Sequence, residues 1–320
     1  MKNTILLSIC IPTFNRAEYL EKTLLSIIGQ KRFQQTENVE IVISDNCSGD
    51  STAEVCRKFM ELYGNKIKYY RNPVNVISEN VRLALSRANG LFLKLNNDTL
   101  VHRPNSLETI ISLINQKSGS KDILFFSNAT IPNLSECSCN DLDSFVKTVS
   151  YHSTWIGSFG IWKDDFAKAE NFDTVPKIDL INEVLFSQIL NRGSVWIDNS
   201  KLFDSLPPAS KGGYNIYRVF VGNYLGLLEK YKDINQISPA TLFNEKSRLL
   251  IKFIIPWFVN IWKERARYHF DQTSGLSIVF RKYWAHPALY FGVFYLAFRL
   301  VQHSMRQICG TGFVKPNATI

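Results

Sequence analysis

Three observations predict that this 320-residue chain is an α/β protein built on a mostly parallel sheet. First, from residue 5 to about residue 100, apolar runs of four to seven residues alternate with helix-period stretches, the order that βαβ units require. Second, the runs are apolar at nearly every position rather than at every other one, each broken by a single polar residue (Ser8, Glu40 or Lys94), as strands covered on both faces are. Third, three runs end abruptly in polar residues. Leu6–Ile11 ends in Pro12-Thr13-Phe14-Asn15-Arg16, Val39–Ile43 in Ser44-Asp45-Asn46-Cys47-Ser48-Gly49-Asp50, and Leu91–Leu95 in Asn96-Asn97-Asp98. Ligands of open α/β sheets bind outside the carboxyl ends of the strands, so residues in such places are the first candidates for a site.

The elements follow in order. After the first strand, Ala17 to Ile28 sets Leu20, Leu24, Ile27 and Ile28 at helical spacing, with Gly29 as the stop. The Val39–Ile43 strand leads to a helix over Ser51 to Leu62, with Val55, Phe59 and Leu62 on one face. Ile67 to Tyr70 is a short strand, and Ser78 to Ala88 a helix ending before Asn89-Gly90 and the Leu91–Leu95 strand. Beyond Asp98 the pattern gives a helix from about Ser106 to Asn115, a strand at Ile123–Ser127, a loop-rich stretch through Asn140 and a helix over Leu142–Ser150. Trp155 to Trp162 alternates large and small residues, which suits a strand whose glycines admit a close approach. Ile178 to Leu190 reads as a helix closed by Asn191-Arg192-Gly193, and Val195–Ile197 as a strand. Pro207-Pro208-Ala209-Ser210-Lys211-Gly212-Gly213 concentrates backbone breakers and reads as a linker. The predicted organisation is an α/β domain over 1–206, a linker over 207–213 and a helical tail over 214–320.

Composition narrows the class. A 45% hydrophobic content at this length allows one large core or a core with an appendage, and excludes general disorder. The net charge of +9 belongs to the tail: eleven of the 37 Lys and Arg lie from Glu245 onward, against three of the 28 Asp and Glu. Two tail segments, Phe253 to Trp262 and Tyr283 to Phe298, are aromatic and apolar inside with cations at their borders. That arrangement points to the membrane surface rather than to nucleic acid, with packing on the catalytic core as the alternative. Six scattered cysteines without paired spacing indicate a reducing, cytosolic compartment, and Cys137-x-Cys139 reads as two surface-loop thiols rather than a metal site. The apolar start is too short for a signal peptide, and no apolar run is long enough for a confident membrane span.

At the strand ends, Pro12 and Thr13 form a rigid turn, Asn15 and Arg16 offer amide donors and a cation, and Asp45 offers an acceptor for the imide N–H of a pyrimidine. Together they could hold a nucleotide. The competing role for Ser44-Asp45-Asn46 is a local turn or helix cap. His102 and His152 are lone histidines near turns and are not expected to act as bases.

These residues carry a resemblance. The opening Ser8 to Arg16, the Ser44 to Thr52 segment, Asn72-Pro73 with Asn80, and the approach from Asn89-Gly90 to Asp98 resemble family 2 glycosyltransferases of the GT-A fold, in wording nearest the abequosyltransferase-like branch. The resemblance implies an inverting sugar transfer from a nucleotide-sugar donor to a glycan or lipid-linked acceptor in bacterial O-antigen or capsule synthesis, by an enzyme peripheral on the inner face of the cell membrane. It implies that Pro12, Thr13, Asn15, Arg16, Asp45 and Asn80 surround the nucleotide, and that Trp155 and Trp162 could stack on the acceptor sugar, with core packing as the alternative. Asp98 would be the last acid of a D-x-D motif and bind Mg²⁺ or Mn²⁺. Asn96 replaces the first acid and Thr99 the further acid that often follows, so metal-independent transfer stays open. For the general base the candidates are Asp179, then Glu183 one turn later, then Asp164 or Asp165. Two other readings compete. A nucleotidyltransferase would want a Gly-rich basic loop after the first strand, and a membrane-bound scaffold with a degenerate donor site is made credible by Asn96 and Thr99.

Overall fold

Runs apolar at nearly every position belong in the interior of a sheet covered on both sides, and that is where they lie. The structure, a computed structural model, describes residues 4–169, 180–207 and 210–297. The chain divides into two compact units, Met1–Ala209 with Gly226–Leu242, and Ser210–Leu225 with Phe243–Ile320.

The first unit runs β1 (Leu7–Thr13), α1 (Ala17–Ile28), α2 (Lys31–Gln35), β2 (Val39–Asp45), α3 (Thr52–Tyr63), β3 (Ile67–Arg71), α4 (Glu79–Ser86), β4 (Phe92–Leu95), β5 (Leu100–His102) and α5 (Ser106–Lys117). It continues through β6 (Ile123–Phe126), β7 (Glu136–Cys139), α6 (Leu142–Val149), β8 (Gly160–Trp162), α7 (Lys163–Ala169), α8 (Leu180–Arg192), β9 (Val195–Asp198) and β10 (Phe203–Ser205). The main sheet has the order β3-β2-β1-β4-β8. Its first four strands are parallel, and β8 closes the edge antiparallel to β4. The register Thr13↔Asp45 aligns the ends of β1 and β2, so the polar residues after both strands emerge on one edge.

Leu7, Ile9 and Ile11 of β1 and Ile41 and Ile43 of β2 are fully buried with Leu20, Leu24 and Ile27 of α1. Each such side chain contributes about 1.5–3 kcal/mol of hydrophobic stabilisation. At the opposite edge Glu40 is buried and fully partnered. Its Oε1 accepts from Ser8 Oγ at 2.6 Å and Asn89 N at 2.6 Å, and Oε2 accepts from Lys68 Nζ at 2.6 Å. Gly90 N donates to Ser8 Oγ at 2.7 Å, and a Cβ at residue 90 would stand 2.6 Å from Ser8 N. The Asn89-Gly90 pair is therefore a close-approach corner between β1 and β4.

Three stretches differ from the sequence expectation. Only Gly160–Trp162 of the expected Trp155–Trp162 strand is extended, because Ser150–Thr154 and Ile156–Ser158 coil into 3₁₀ turns. Those turns are tied down by Ser158 Oγ on Trp155 O at 2.6 Å, and by the buried Lys94 ammonium of β4 on Gly157 O. The loop-rich stretch before Asn140 contains β7, which pairs antiparallel with β9 in the three-stranded order β6-β9-β7. Its residues Glu136 to Ser138 are mostly solvent-facing, so no apolar alternation marked it. β5 and β10 form a further antiparallel pair.

In the second unit β11 (Lys211–Gly212) pairs in parallel with β12 (Tyr268–His269), so part of the expected linker is edge strand. A π-helical turn at Arg218–Tyr224 leads into α9 (Leu225–Asp233). After α10 (Pro239–Leu249), a second π turn at Leu250–Ile254 leads into α11 (Ile255–Lys263), and α12 (Gly275–Tyr283) and a helical stretch over 287–297 follow. The Phe253–Val259 segment packs within its own unit: Phe253 lies 4.4 Å from Phe220, and Trp257 meets Tyr268 and Phe270 at 5.3 and 5.4 Å between ring centroids. Trp262, just beyond that segment, is exposed, and further exposed aromatics lie on α12, just past its end and over 290–295. Gly226–Leu242 groups with the first unit, so the division is not a single cut in the chain.

Candidate functional site

The loops after β1 and β2 are laced together. Asn15 takes a positive φ of 50° to turn the chain out of β1. Its N–H donates to Ser48 Oγ at 2.8 Å, and its Oδ1 accepts from Gly49 N at 2.7 Å. Asp50 joins two helix starts, accepting from Ala17 N of α1 at 3.0 Å and Thr52 N of α3 at 3.1 Å. The Ser44 to Thr52 segment thus does cap helices, for both loops at once.

Asp98, just beyond β4, is the meeting point of the strand ends. Its Oδ2 accepts from Thr13 Oγ1 at 2.9 Å, and its Oδ1 from Arg16 Nη1 at 2.9 Å. Its backbone carbonyl accepts from Thr23 Oγ1 of α1 at 2.8 Å. The carboxylate side chain is 4% exposed and that of Arg16 35%. Burial pushes the Asp98 carboxyl above its ordinary range, against the opposing pull of Arg16 and Thr13. Pro12 is half-buried beside them and Asn15 exposed.

Asp45, at the end of β2, is fully buried with both oxygens engaged. Oδ1 accepts from Ser48 N at 2.9 Å, and Oδ2 accepts from the Tyr69 hydroxyl at 2.7 Å with Arg71 Nε at 3.6 Å. The carboxylate organises the loop and orients Tyr69 and Arg71 rather than presenting an open oxygen to a ligand. Burial, then Asp45, pushes the Tyr69 phenol well up, so it remains a donor. The Arg71 side chain is 49% exposed, and its Nη2 donates to Ser48 O at 2.8 Å. Sequence reasoning missed Arg71 and Tyr69, although Arg71 follows the Ile67–Tyr70 run as Asp45 follows its own.

Asn80 departs from the expectation of a ligand contact. Its Oδ1 accepts from Ser44 Oγ at 2.6 Å and Asn72 Nδ2 at 2.9 Å, while its Nδ2 donates to Ser44 O at 2.8 Å. The amide is consumed in joining α4 to the end of β2. Arg87 completes the joint, donating to Ser44 Oγ and Asn72 Oδ1, each at 2.7 Å.

Asn96 faces inward. Its Oδ1 lies 3.1 Å from His102 Nε2, and His102 Nδ1 lies 2.9 Å from Ser106 Oγ, which accepts from Gln30 Nε2 at 3.0 Å. Burial pushes the His102 imidazole down to about 3, with the Lys94 charge adding to the effect, so the ring is neutral and buried and is no base for an acceptor. The residues present do not suit a D-x-D metal site. The carboxylate of Asp98 already has a guanidinium and a hydroxyl on its two oxygens, Asn96 is neutral and turned to His102, and Thr99 is neutral and buried. Among the described residues no three His, Cys, Asp or Glu side chains gather.

Of the base candidates, Asp179 lies outside the described residues. Asp165 is locked in a bidentate pair with Arg192 at 2.9 and 2.6 Å, and Asp164 is exposed and paired with Lys121 at 2.6 Å, so neither stands free to take a proton. Glu183, in the first turn of α8, is half-buried, and burial raises its pKa against the pull of Lys230. Trp162 is a core residue: its ring meets Phe92 edge-on at 5.1 Å and its Nε1 donates to Asp122 O at 2.9 Å, leaving no face for a sugar. Trp155 is half-buried against Phe203 at 6.4 Å.

Residues 8–124 match the family model for glycosyl transferase family 2. Over 87 residues, 27% of this chain and 26% of the relative, the sequence is 45% identical to abequosyltransferase RfbV of Salmonella typhimurium strain LT2. Over 61 residues, 19% of this chain and 14% of the relative, it is 38% identical to the minor teichoic acid biosynthesis protein GgaA of Bacillus subtilis strain 168. The matched segments thus span about a quarter or less of these relatives' lengths. In fold, the chain is similar to S. aureus TarS 1–349 in complex with UDP, with a TM-score of 0.52 and 16% identity, covering 85% of this chain and 75% of that one.

Proposed function

We propose that this chain, whose residues 8–124 match the family model for glycosyl transferase family 2, is an inverting glycosyltransferase that moves a sugar from a nucleoside-diphosphate donor to a glycan hydroxyl in bacterial surface polysaccharide synthesis. The observation that carries this reading is the convergence of Thr13, Arg16 and Asp98 at the carboxyl ends of β1 and β4, with the half-exposed Arg71 at the same end of β3. The nucleotide lies along Pro12, Thr13 and Asn15, over the loop that Asp45 organises through Ser48, Tyr69 and Arg71. The base and ribose meet Arg71 and the loop edge, and the diphosphate meets Arg16. The similarity to a UDP complex in fold, and to an abequosyltransferase and a teichoic acid biosynthesis protein in sequence, supports this substrate class.

Transfer needs a base on the acceptor side. Asp179 removes the acceptor proton as that oxygen bonds to the anomeric carbon, and the bond from that carbon to the diphosphate breaks with its electron pair. Glu183, whose raised pKa suits a base, is the alternative. Trp155 flanks the acceptor sugar. The catalytic part is residues 1–206, and the basic second unit brings the enzyme to the inner membrane surface, where a lipid-linked acceptor lies. Among the described residues no helix is long and apolar enough to cross a membrane. Calorimetry with UDP, CDP, GDP and dTDP tests the donor site: base-selective binding is expected, and a chain that binds none of them is a scaffold with a degenerate site instead.

A further inference from the structure

We propose that Arg16, presented by Asp98, is the cation that meets the departing diphosphate, so that transfer proceeds without a divalent metal ion. This rests on the donor-site reading above and goes beyond it.

A D-x-D site works by holding two positive charges over the phosphates, drawn in by carboxylates with free oxygens. Here the single acid of that stretch is in an ion pair. Both Asp98 oxygens are bonded at 2.9 Å, one to a permanent cation, which leaves little net negative charge to draw a metal. The residue in the first acid's place cannot turn outward cheaply. Asn96 Oδ1 is the partner of a buried imidazole that Ser106 and Gln30 also fix, and rotating it away strands that N–H in the interior.

Arg16 has the opposite character. Its side chain is 35% exposed, and Asp98 accepts from one of its nitrogens. Among the described residues its remaining N–H groups have no protein acceptor, and the side chain that carries them reaches solvent. A guanidinium anchored on one side by a carboxylate is a rigid fork that can bond two phosphate oxygens at once. In the step itself, the acceptor oxygen bonds to the anomeric carbon while the bond from that carbon to the phosphate oxygen breaks. The electron pair stays on the diphosphate oxygen, to which the Arg16 N–H groups donate hydrogen bonds, and the acceptor proton passes to the base. Asp98 is then a positioning residue, and Arg16 the catalytic one.

The test is calorimetry on the full chain in EDTA and in Mn²⁺, titrating UDP, CDP, GDP and dTDP and the matching free nucleosides, with Arg16→Met and the charge-neutral pair Arg16→Gln/Asp98→Asn. The double variant guards against unfolding caused by an unpaired Asp98, and thermal melts confirm the fold of each. One diphosphate should bind in EDTA, with Mn²⁺ changing its affinity less than about threefold. Both variants should weaken that diphosphate about 10–100-fold, the value of charge-assisted hydrogen bonds, and leave the nucleoside unchanged. Diphosphate binding that requires Mn²⁺, or folded variants that bind it like the parent, would overturn the role of Arg16 while leaving the donor site standing. No diphosphate binding in either condition would overturn the donor-site reading, and this inference with it.

Discussion

His102 lies one hydrogen bond from Asn96, and its neutrality ties stability to pH. Its folded value of about 3 is below the ordinary 6.5, so between these values the unfolded chain binds the extra proton. Stability from this group is therefore complete above pH 6.5 and is lost as pH falls toward 3, by up to about 4 kcal/mol. Denaturant unfolding followed from pH 7 to 3 should show a shallower fall in His102→Gln than in the parent, and equal slopes would deny the ring this role. A second residue-scale expectation concerns the base. Asp179→Asn should keep donor affinity while turnover drops by about 10²–10⁴-fold, measured as sugar release from the donor, and near-normal turnover would pass the role to Glu183. The polar strand ends marked Thr13, Arg16, Asp45 and Asp98 in the sequence. Their partners were not legible there, because Asp45 meets Tyr69 and Asp98 meets Arg16 only once β1, β2, β3 and β4 lie side by side.

Among the elements, the β1–β4 corner shows how a motif with no ligand can still be rigidly specified. Ser8, Glu40, Asn89 and Gly90 form one buried polar joint at the edge away from the site. Gly90→Ala would place a methyl 2.6 Å from Ser8 N, against backbone that cannot retreat. A loss of roughly 2 kcal/mol or more is expected, read as a lower denaturation midpoint, and an unchanged midpoint would mean the corner yields. The helices α1, α3 and α5 were readable because their apolar spacing matches one buried face. The turns at 150–158 were not, because a glycine-aromatic alternation suits a strand locally. It is Lys94, reaching from β4 to Gly157 O, that holds this stretch coiled.

At the scale of the whole molecule the chain places its chemistry and its surface character in different units. In the second unit Leu276, Phe280 and Trp284 recur every four residues along α12 and its end, 60–72% exposed, and Phe291 and Phe294 are as open. Arg281 and Lys282 lie between them in sequence, a combination suited to an anionic bilayer surface. Phe280→Ser/Trp284→Ser should leave thermal stability nearly unchanged, since neither ring is core, and abolish co-sedimentation with vesicles containing anionic lipid. Undiminished sedimentation would assign these aromatics to another partner.

The sequence by itself determined the α/β class, the helices with one buried face, the strand ends that carry the site and the basic aromatic character of the second unit. Periodicity and composition are local properties, and they survive without a fold. Only the tertiary structure decided which polar residues are ligands in waiting and which are already spent. It committed Asn80 to a joint, Trp162 to the core and Asp165 to Arg192, and it set Arg16 against Asp98. Those outcomes depend on contacts across 27 to 82 positions of sequence, where spacing carries no information and packing alone settles who meets whom.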